Sequence, residues 1–251
     1  MSVLTDIGNL LMPRYCLMCH HRLAHQEKYI CTVCLMHLPF TNYHQVKHSV
    51  LEKQFWGLLP IEKAVSFFYH DGADTRQLIY HIKYFEHPEL GTYLGSIYAE
   101  ELKRAHFFDH IDMIIPLPLH WRRQMKRHYN QCHYIAKGIA KVTGLPIKKN
   151  VVKRKRNNTT QTHLTPHQRM ENVKDVFLLK HPEEIEGKHI LLIDDVTTTG
   201  ATLIACGKEL IKAGNVKLSI LTLSVAGGRT TVPDYEGEHV ETSIFGIPLM
   251  E

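Results

Sequence analysis

The sequence predicts an α/β protein, a mainly parallel sheet with helices on both faces and a small cysteine-rich module ahead of it. Three observations carry that expectation. From Ile61 onward, short apolar runs alternate with stretches of helical period, the pattern of strand–helix–strand units. The run His189–Thr202 leads an apolar strand into threonines and one glycine, and helical spacing resumes at Leu203, Cys206, Leu210 and Ile211. Four cysteines (Cys16, Cys19, Cys31 and Cys34) precede Tyr43 in a stretch with no sustained helix or strand period.

Taken in order, Ala64–Tyr69 reads as a strand turned at Asp71-Gly72. Thr75–Phe85 and Glu89–Lys103 read as helices, the first with Leu78, Ile79 and Ile82 on one face. Asp112–Leu117 is a second strand, ended by Pro116 and Pro118. Asn130–Thr143 is a helix closed by Gly144-Leu145-Pro146. Val151–Asn172 is polar, basic and without period, which predicts a long loop. His189–Ile193 and Lys217–Val225 are buried strands separated by a helix ending near Gly214. The expected division is a module over 1–43, a connector over 44–60 and the α/β domain over 61–251.

Composition narrows the class. The chain has 251 residues, 44% of them hydrophobic, enough for a substantial core and too apolar for a disordered chain. Apolar runs such as Ile190–Ile193 are far too short to span a membrane. The first residues lack a basic region and Asp6 interrupts them, so no secretory signal and a cytoplasmic location are expected. The net charge is +5, and basic residues cluster: four within Arg122–Arg127 and six within Lys148–Arg156. Such clusters attract phosphates of a small ligand or of a nucleic acid. The 19 histidines are scattered with no HxH or HExxH array, so they predict no metal site as a group.

Cys16-Leu-Met-Cys19 and Cys31-Thr-Val-Cys34 are two CxxC knuckles, and two facing knuckles complete a tetrahedral four-sulfur site. That geometry suits structural zinc. A cytosolic location disfavours disulfides, and spacing alone also admits iron. A segment this short cannot bury a core of its own, so metal binding would supply much of its folding energy. Cys132 and Cys206 fall on apolar helix faces and read as small core residues.

The run from Ile193 to Thr202 carries the chemistry. Asp194 and Asp195 enter a loop of Thr197, Thr198, Thr199 and Gly200 that opens a helix at Ala201. Backbone N–H groups, hydroxyls and a helix N-terminus bind a phosphate monoester, and the carboxylates lie where sugar hydroxyls or a divalent cation would sit. This run resembles the phosphoribosyl-pyrophosphate motif of type I phosphoribosyltransferases. Three more segments extend the resemblance: Ile115-Pro116-Leu117-Pro118-Leu119-His120, Tyr129-Asn130-Gln131, and the spaced set Arg154, Arg156, Gln161, Leu164, Arg169, Asn172 and Val173. With the four cysteines, the chain resembles the ComF family (competence protein F) over nearly its whole length.

The resemblance implies a type I phosphoribosyltransferase-like fold and assigns roles. Asp194 and Asp195 would contact ribose hydroxyls directly or through Mg2+. Thr198, Thr199, Gly200, Ala201 and Thr202 would cradle the 5-phosphate. Leu117, Pro118 and Leu119 would form the pyrophosphate loop, and Arg154, Arg156 and Arg169 would act from a mobile loop. The sequence departs from the family pattern at His128, where glycine is usual, at Asn158 in place of threonine, and at Thr197 in place of an aliphatic residue.

Two functions of different classes follow. One is a competence factor that binds phosphoribosyl pyrophosphate with Mg2+ and single-stranded DNA, without membrane insertion. Its strand would track Arg122, Arg123, Lys126, Arg127, Lys153, Arg154, Lys155 and Arg156, with Trp121 or Tyr129 for base stacking. The other is an active phosphoribosyltransferase with a nitrogen acceptor, for which no base pocket can be named. A third reading is a sensor that binds phosphoribosyl pyrophosphate without turnover.

Overall fold

The computed structural model of the protein describes residues 13–70, 72–84, 87–155 and 176–227. Its helices, in order, are α1 (Thr32–Met36), α2 (Val50–Lys53), α3 (Ala73–Tyr84), α4 (Pro88–Arg104), α5 (Trp121–Arg127), α6 (Gln131–Thr143) and α7 (Ala201–Leu210). Its strands are β1 (Lys63–Tyr69), β2 (Met113–Pro116), β3 (Val152–Arg154), β4 (Phe177–Leu179), β5 (His189–Thr197) and β6 (Lys217–Val225).

Among the described residues the main sheet runs β1-β6-β5-β2, every pair parallel. A parallel sheet is covered on both faces, so its strands are apolar almost without break. Accordingly Ile190, Leu191, Leu192 and Ile193 are all buried. The pleat sends alternate residues to opposite layers. Leu191 and Ile193 join the core under α3, α4 and α6, while Ile190 and Leu192 join the core under α7.

Local signals account for the helix ends. Pro88 opens α4, where its missing N–H costs nothing. The Asn130 side chain caps α6 by accepting from the Cys132 N–H at 3.0 Å. α4 and α6 pack so closely that Gly138 has no room for a side chain. A Cβ there would stand 2.2 Å from the Thr92 carbonyl oxygen and 2.8 Å from the Ser96 nitrogen.

Two expectations are corrected, and a run to which the sequence assigned no element proves to be a helix. β5 extends four residues beyond Ile193, because β6 continues beside it and pairs Asp194 with Thr222 and Thr197 with Val225. The stretch expected as loop from Val151 begins as a strand, β3, paired antiparallel with β4. The basic run after His120 is a helix, α5, capped by the His120 side chain at the Arg122 N–H.

The cysteine-rich segment packs onto the α/β layer: Cys16, Ile30, Leu35 and Leu38 share a core with Phe67, Leu90 and Leu94. Residues expected only to connect it to the domain include α2 and bury Leu51, Phe55 and Leu59 under the opposite face. No helix among the described residues is long and apolar enough to cross a membrane.

The Gly138 contact yields a stability prediction. Gly138→Ala should force α4 and α6 apart and cost about 3 kcal/mol, within the range of overpacked cores. Urea denaturation monitored by circular dichroism checks it; an unchanged midpoint would contradict the close approach.

Candidate functional site

β2 and β5 lie side by side, yet α6, the longer helix after β2, packs on one face and α7, the helix after β5, on the other. After α6 the chain returns at Ile147, which bridges Ile114 on the side of β2 away from β5, whereas after α7 it returns as β6 on the other side of β5. Connections diverging in this way mark the crevice at the carboxyl ends of two strands where open α/β sheets bind ligands. Leu117, Pro118 and Leu119 follow β2, and Thr198 to Thr202 follow β5, so the structure brings these two predicted segments to one place. The Leu117 N–H donates to the Ile193 carbonyl at 2.8 Å. Asn130 donates to the Leu117 carbonyl at 3.0 Å, tying that loop to the start of α6.

Both predicted carboxylates are buried at the end of β5. They sit in the strand itself, not in the loop after it, so the pleat separates their environments. Asp195 Oδ2 is 2.8 Å from the Lys83 Nζ of α3. Burial alone would raise the Asp195 carboxyl, but the Lys83 charge and hydrogen bond outweigh it and hold it below the usual carboxylate range. Among the described residues Asp194 has no such ion-pair partner. Burial and the neighbouring Asp195 charge push it up to about 7. Its Oδ1 accepts from the Asp195 N–H at 2.9 Å and from the Cys132 thiol at 3.4 Å.

Beyond the carboxylates, Thr198 is exposed and Thr199 half-buried, and Gly200 stands at the cap of α7 with φ of 70°. That left-handed turn suits glycine, and a side chain there would press on the Phe55 ring at 3.2 Å. Ala201 is buried and Thr202 half-buried in the first turn of α7. His128, which replaces the usual glycine, also adopts positive φ, 62°. The position keeps its backbone turn with a residue that bears some strain.

Arg154 is separated from its basic neighbours. Lys153 and Lys155 are exposed, whereas Arg154 points inward, buried, with its guanidinium 5.5 Å from the Phe177 ring. Burial lowers its pKa and Arg123 adds to that, while the Asp194 charge pulls the other way. Arg154 thus belongs with the acid pair and not with the exposed cluster. The two basic clusters meet at His120: burial lowers its pKa, the Lys155 backbone opposes this, and Arg122, Arg154 and Arg123 lower it further. Arg122 and Lys126 are exposed, and Arg123 and Arg127 half-buried. Arg156 and Arg169, with Asn158, Gln161, Leu164, Asn172 and Val173, lie outside the described residues.

Two further residues join the site that the sequence did not place there. Lys83 follows Ile79 by four residues, which puts it on the apolar face of α3, and a lysine on such a face is a signal of a buried partner. Cys132 read as core; it is buried, and its sulfur lies within 4.8 Å of carboxylate oxygens of both Asp194 and Asp195.

The four N-terminal cysteines converge. Their sulfurs all lie within 4.8 Å of one another, and Cys19 and Cys31 are 3.7 Å apart. A tetrahedron of zinc–sulfur bonds sets sulfurs about 3.8 Å apart, so the donor set fits such an ion. Backbone N–H groups of Met18 and Cys31 point at the Cys16 sulfur at 3.4 and 3.3 Å. Burial raises the Cys16 thiol, but these donors and that of Cys19 outweigh it and bring it to about 7.

Lys83→Met should strand Asp195 and cost roughly 2–4 kcal/mol, at the lower end of a broken buried pair because solvent reaches part of the lysine. Asp194→Asn should be at least as stable as the parent protein at neutral pH. The folded Asp194 pKa is raised, so the native state holds its proton longer than the unfolded chain, and this carboxyl costs stability as pH rises toward about 7. The advantage of Asp194→Asn should therefore widen over that range. Thermal unfolding across pH checks both; a strongly destabilised Asp194→Asn would contradict the assignment.

A phosphoribosyl transferase domain model matches residues 130–247. Competence protein F of Haemophilus influenzae is 34% identical over 129 residues, 51% of this chain and 56% of that protein. DNA utilization protein YhgH of Shigella flexneri is 26% identical over 229 residues, covering 85% of this chain and 98% of the relative. Competence protein ComFC of Bacillus subtilis is 29% identical over 121 residues, 48% of this chain and 45% of its own length. The chain thus spans little more than half of the Haemophilus protein it matches. The four-cysteine cluster, the parallel sheet and this domain match give the chain a phosphoribosyltransferase-like fold, and its similarity to these competence and DNA-utilization proteins supports a place in the ComF family.

Proposed function

We propose that the chain binds phosphoribosyl pyrophosphate with Mg2+ in the crevice between β2 and β5, and handles single-stranded DNA on the adjoining basic face. Its biological role in this reading is DNA uptake for natural transformation, carried out in the cytoplasm. One observation carries the small-ligand part: two buried carboxylates end β5 beside the cap of α7, with a buried arginine behind them. Asp194 and Asp195 would take the ribose hydroxyls, and Thr198 to Thr202 the 5-phosphate. Leu117, Pro118 and Leu119 would face the pyrophosphate, with Arg154, Arg156 and Arg169 neutralising it.

The donor set suits Mg2+. Lys83 already compensates Asp195, which leaves few protein carboxylates, and Mg2+ typically combines one or two of these with substrate phosphates. Mg2+ would supply charge neutralisation for the pyrophosphate. Among the described residues buried Arg154 Nε and Thr197 Oγ1 have no hydrogen-bond partner, which favours a polar ligand near them. The names of the relatives, competence and DNA utilization, support the DNA role. In the N-terminal module Cys16, Cys19, Cys31 and Cys34 would hold a structural zinc.

A second reading is turnover, with transfer of the phosphoribosyl group to a nitrogen acceptor. Arg154 favours it, because a cation held inside the protein stabilises developing negative charge more strongly than one in water.

Calorimetry tests the ligand: phosphoribosyl pyrophosphate with Mg2+ should bind the parent protein, and Asp194→Asn with Asp195→Asn should weaken it at least about tenfold, as loss of charged hydrogen bonds implies. No binding by the parent protein would overturn the reading. Pyrophosphate release that depends on an added acceptor would establish turnover; release with no acceptor dependence would count against transfer. Metal analysis of purified protein should find about one zinc per chain, lost in Cys16→Ser with Cys31→Ser. Finding neither zinc nor iron would end the metal proposal.

A further inference from the structure

α5 is a helix without a core. None of its seven residues is buried, and Trp121 and Met125 are 53% and 67% exposed. Helices in globular proteins normally gain stability from an apolar face packed inward. α5 instead turns its apolar side chains out among Arg122, Arg123, Lys126 and Arg127, with no acidic residue along its length.

Each end of α5 carries an aromatic–arginine pair. At its start the Arg122 guanidinium lies 5.3 Å from the Trp121 ring. At its end the Arg127 guanidinium lies 4.7 Å from the ring of Tyr84 and donates to the Tyr84 hydroxyl at 3.0 Å. Tyr84 belongs to α3, so the second pair exists only in the folded protein. Tyr80, one turn earlier on α3, packs on Tyr84 with ring centroids 4.7 Å apart. Both tyrosines stay about half exposed, 52% and 48%. Tyr129 differs: it is half-buried and its hydroxyl donates to the Ile82 carbonyl at 2.7 Å, which commits it to holding α3.

The geometry points to a base-stacking platform for single-stranded DNA across α5, with Trp121/Arg122 and Tyr80/Tyr84/Arg127 as its two stations. This rests on the DNA-handling reading above and assigns its residues. Flat aromatic and guanidinium surfaces stack on any base, and surrounding cations hold the backbone. A duplex, whose bases are already stacked inside it, offers nothing to such a platform. The tyrosine station borders the crevice, because Lys83, which holds Asp195, is the residue before Tyr84.

Fluorescence anisotropy of a labelled oligo-dT strand about 16 nucleotides long, with the full chain, tests the platform. Tyr80→Ala with Tyr84→Ala, and separately Trp121→Ala, should each weaken binding about tenfold or more with the salt slope unchanged. Tyr80→Phe with Tyr84→Phe should restore it, since the stack needs the ring and not the hydroxyl. Lys126→Gln should instead lower the salt slope by about one. In a Trp56→Phe background, which leaves Trp121 as the one tryptophan, oligo-dT should quench the fluorescence. A parent protein that binds while the alanine variants bind equally well, or that binds duplex as tightly as the single strand, overturns the platform. A parent protein that binds no oligo-dT overturns the DNA-handling reading itself.

Discussion

Two consecutive carboxylates at the end of a strand covered on both faces constrain everything around them. A buried ionised carboxylate is very costly unless it is paired and hydrogen-bonded. The pleat of β5 turns the two carboxyls in different directions, so their partners differ although their oxygens come within 4.8 Å of one another. Asp195 is therefore met from the α3 side by Lys83. Asp194 is met by the Cys132 thiol and by the charge of Arg154 on β3. The result is asymmetric, one carboxyl held ionised and the other poised near neutrality, which is how a site takes up a proton or a ligand at little cost.

The cysteine-rich segment obeys a different constraint. It is too short for a core, so its sulfurs converge on a tetrahedral arrangement while its apolar residues borrow the core of the α/β layer. Tyr29 and Tyr93 meet with ring centroids 5.6 Å apart, which docks the segment on α4. The same α4 packs against α6 at Gly138, and α6 is capped by Asn130, which holds the loop after β2 through Leu117. A continuous set of packed elements therefore links the sulfur cluster to the crevice.

Local pattern sufficed for much of this. The alternation of apolar runs and helical periods revealed β1, β2 and β6 and the helices α3, α4 and α6 to within a few residues, because burial on one or both faces writes its period into the chain. The two CxxC knuckles and the Asp-Asp-Thr-Thr-Thr-Gly run were equally legible, since each is written in a few adjacent residues. α5 was hidden because it buries nothing and so has no apolar period. β3 was hidden because three residues carry too little pattern, and it exists by pairing with β4 across a long separation in sequence.

The sequence by itself determined the fold class, the four-sulfur set and the pairing of two aspartates with a threonine- and glycine-containing turn, all properties of residues close together in the chain. Only the tertiary structure decided that Asp194 and Asp195 stand in different environments, that Lys83 neutralises one of them, and that Arg154 leaves the exposed basic cluster for the interior. It also decided that Tyr84 of α3 meets Arg127 of α5. The physical reason is the same in each case. A counterion or a ring stack needs only proximity in space, and no periodicity along the chain records which distant residue will supply it.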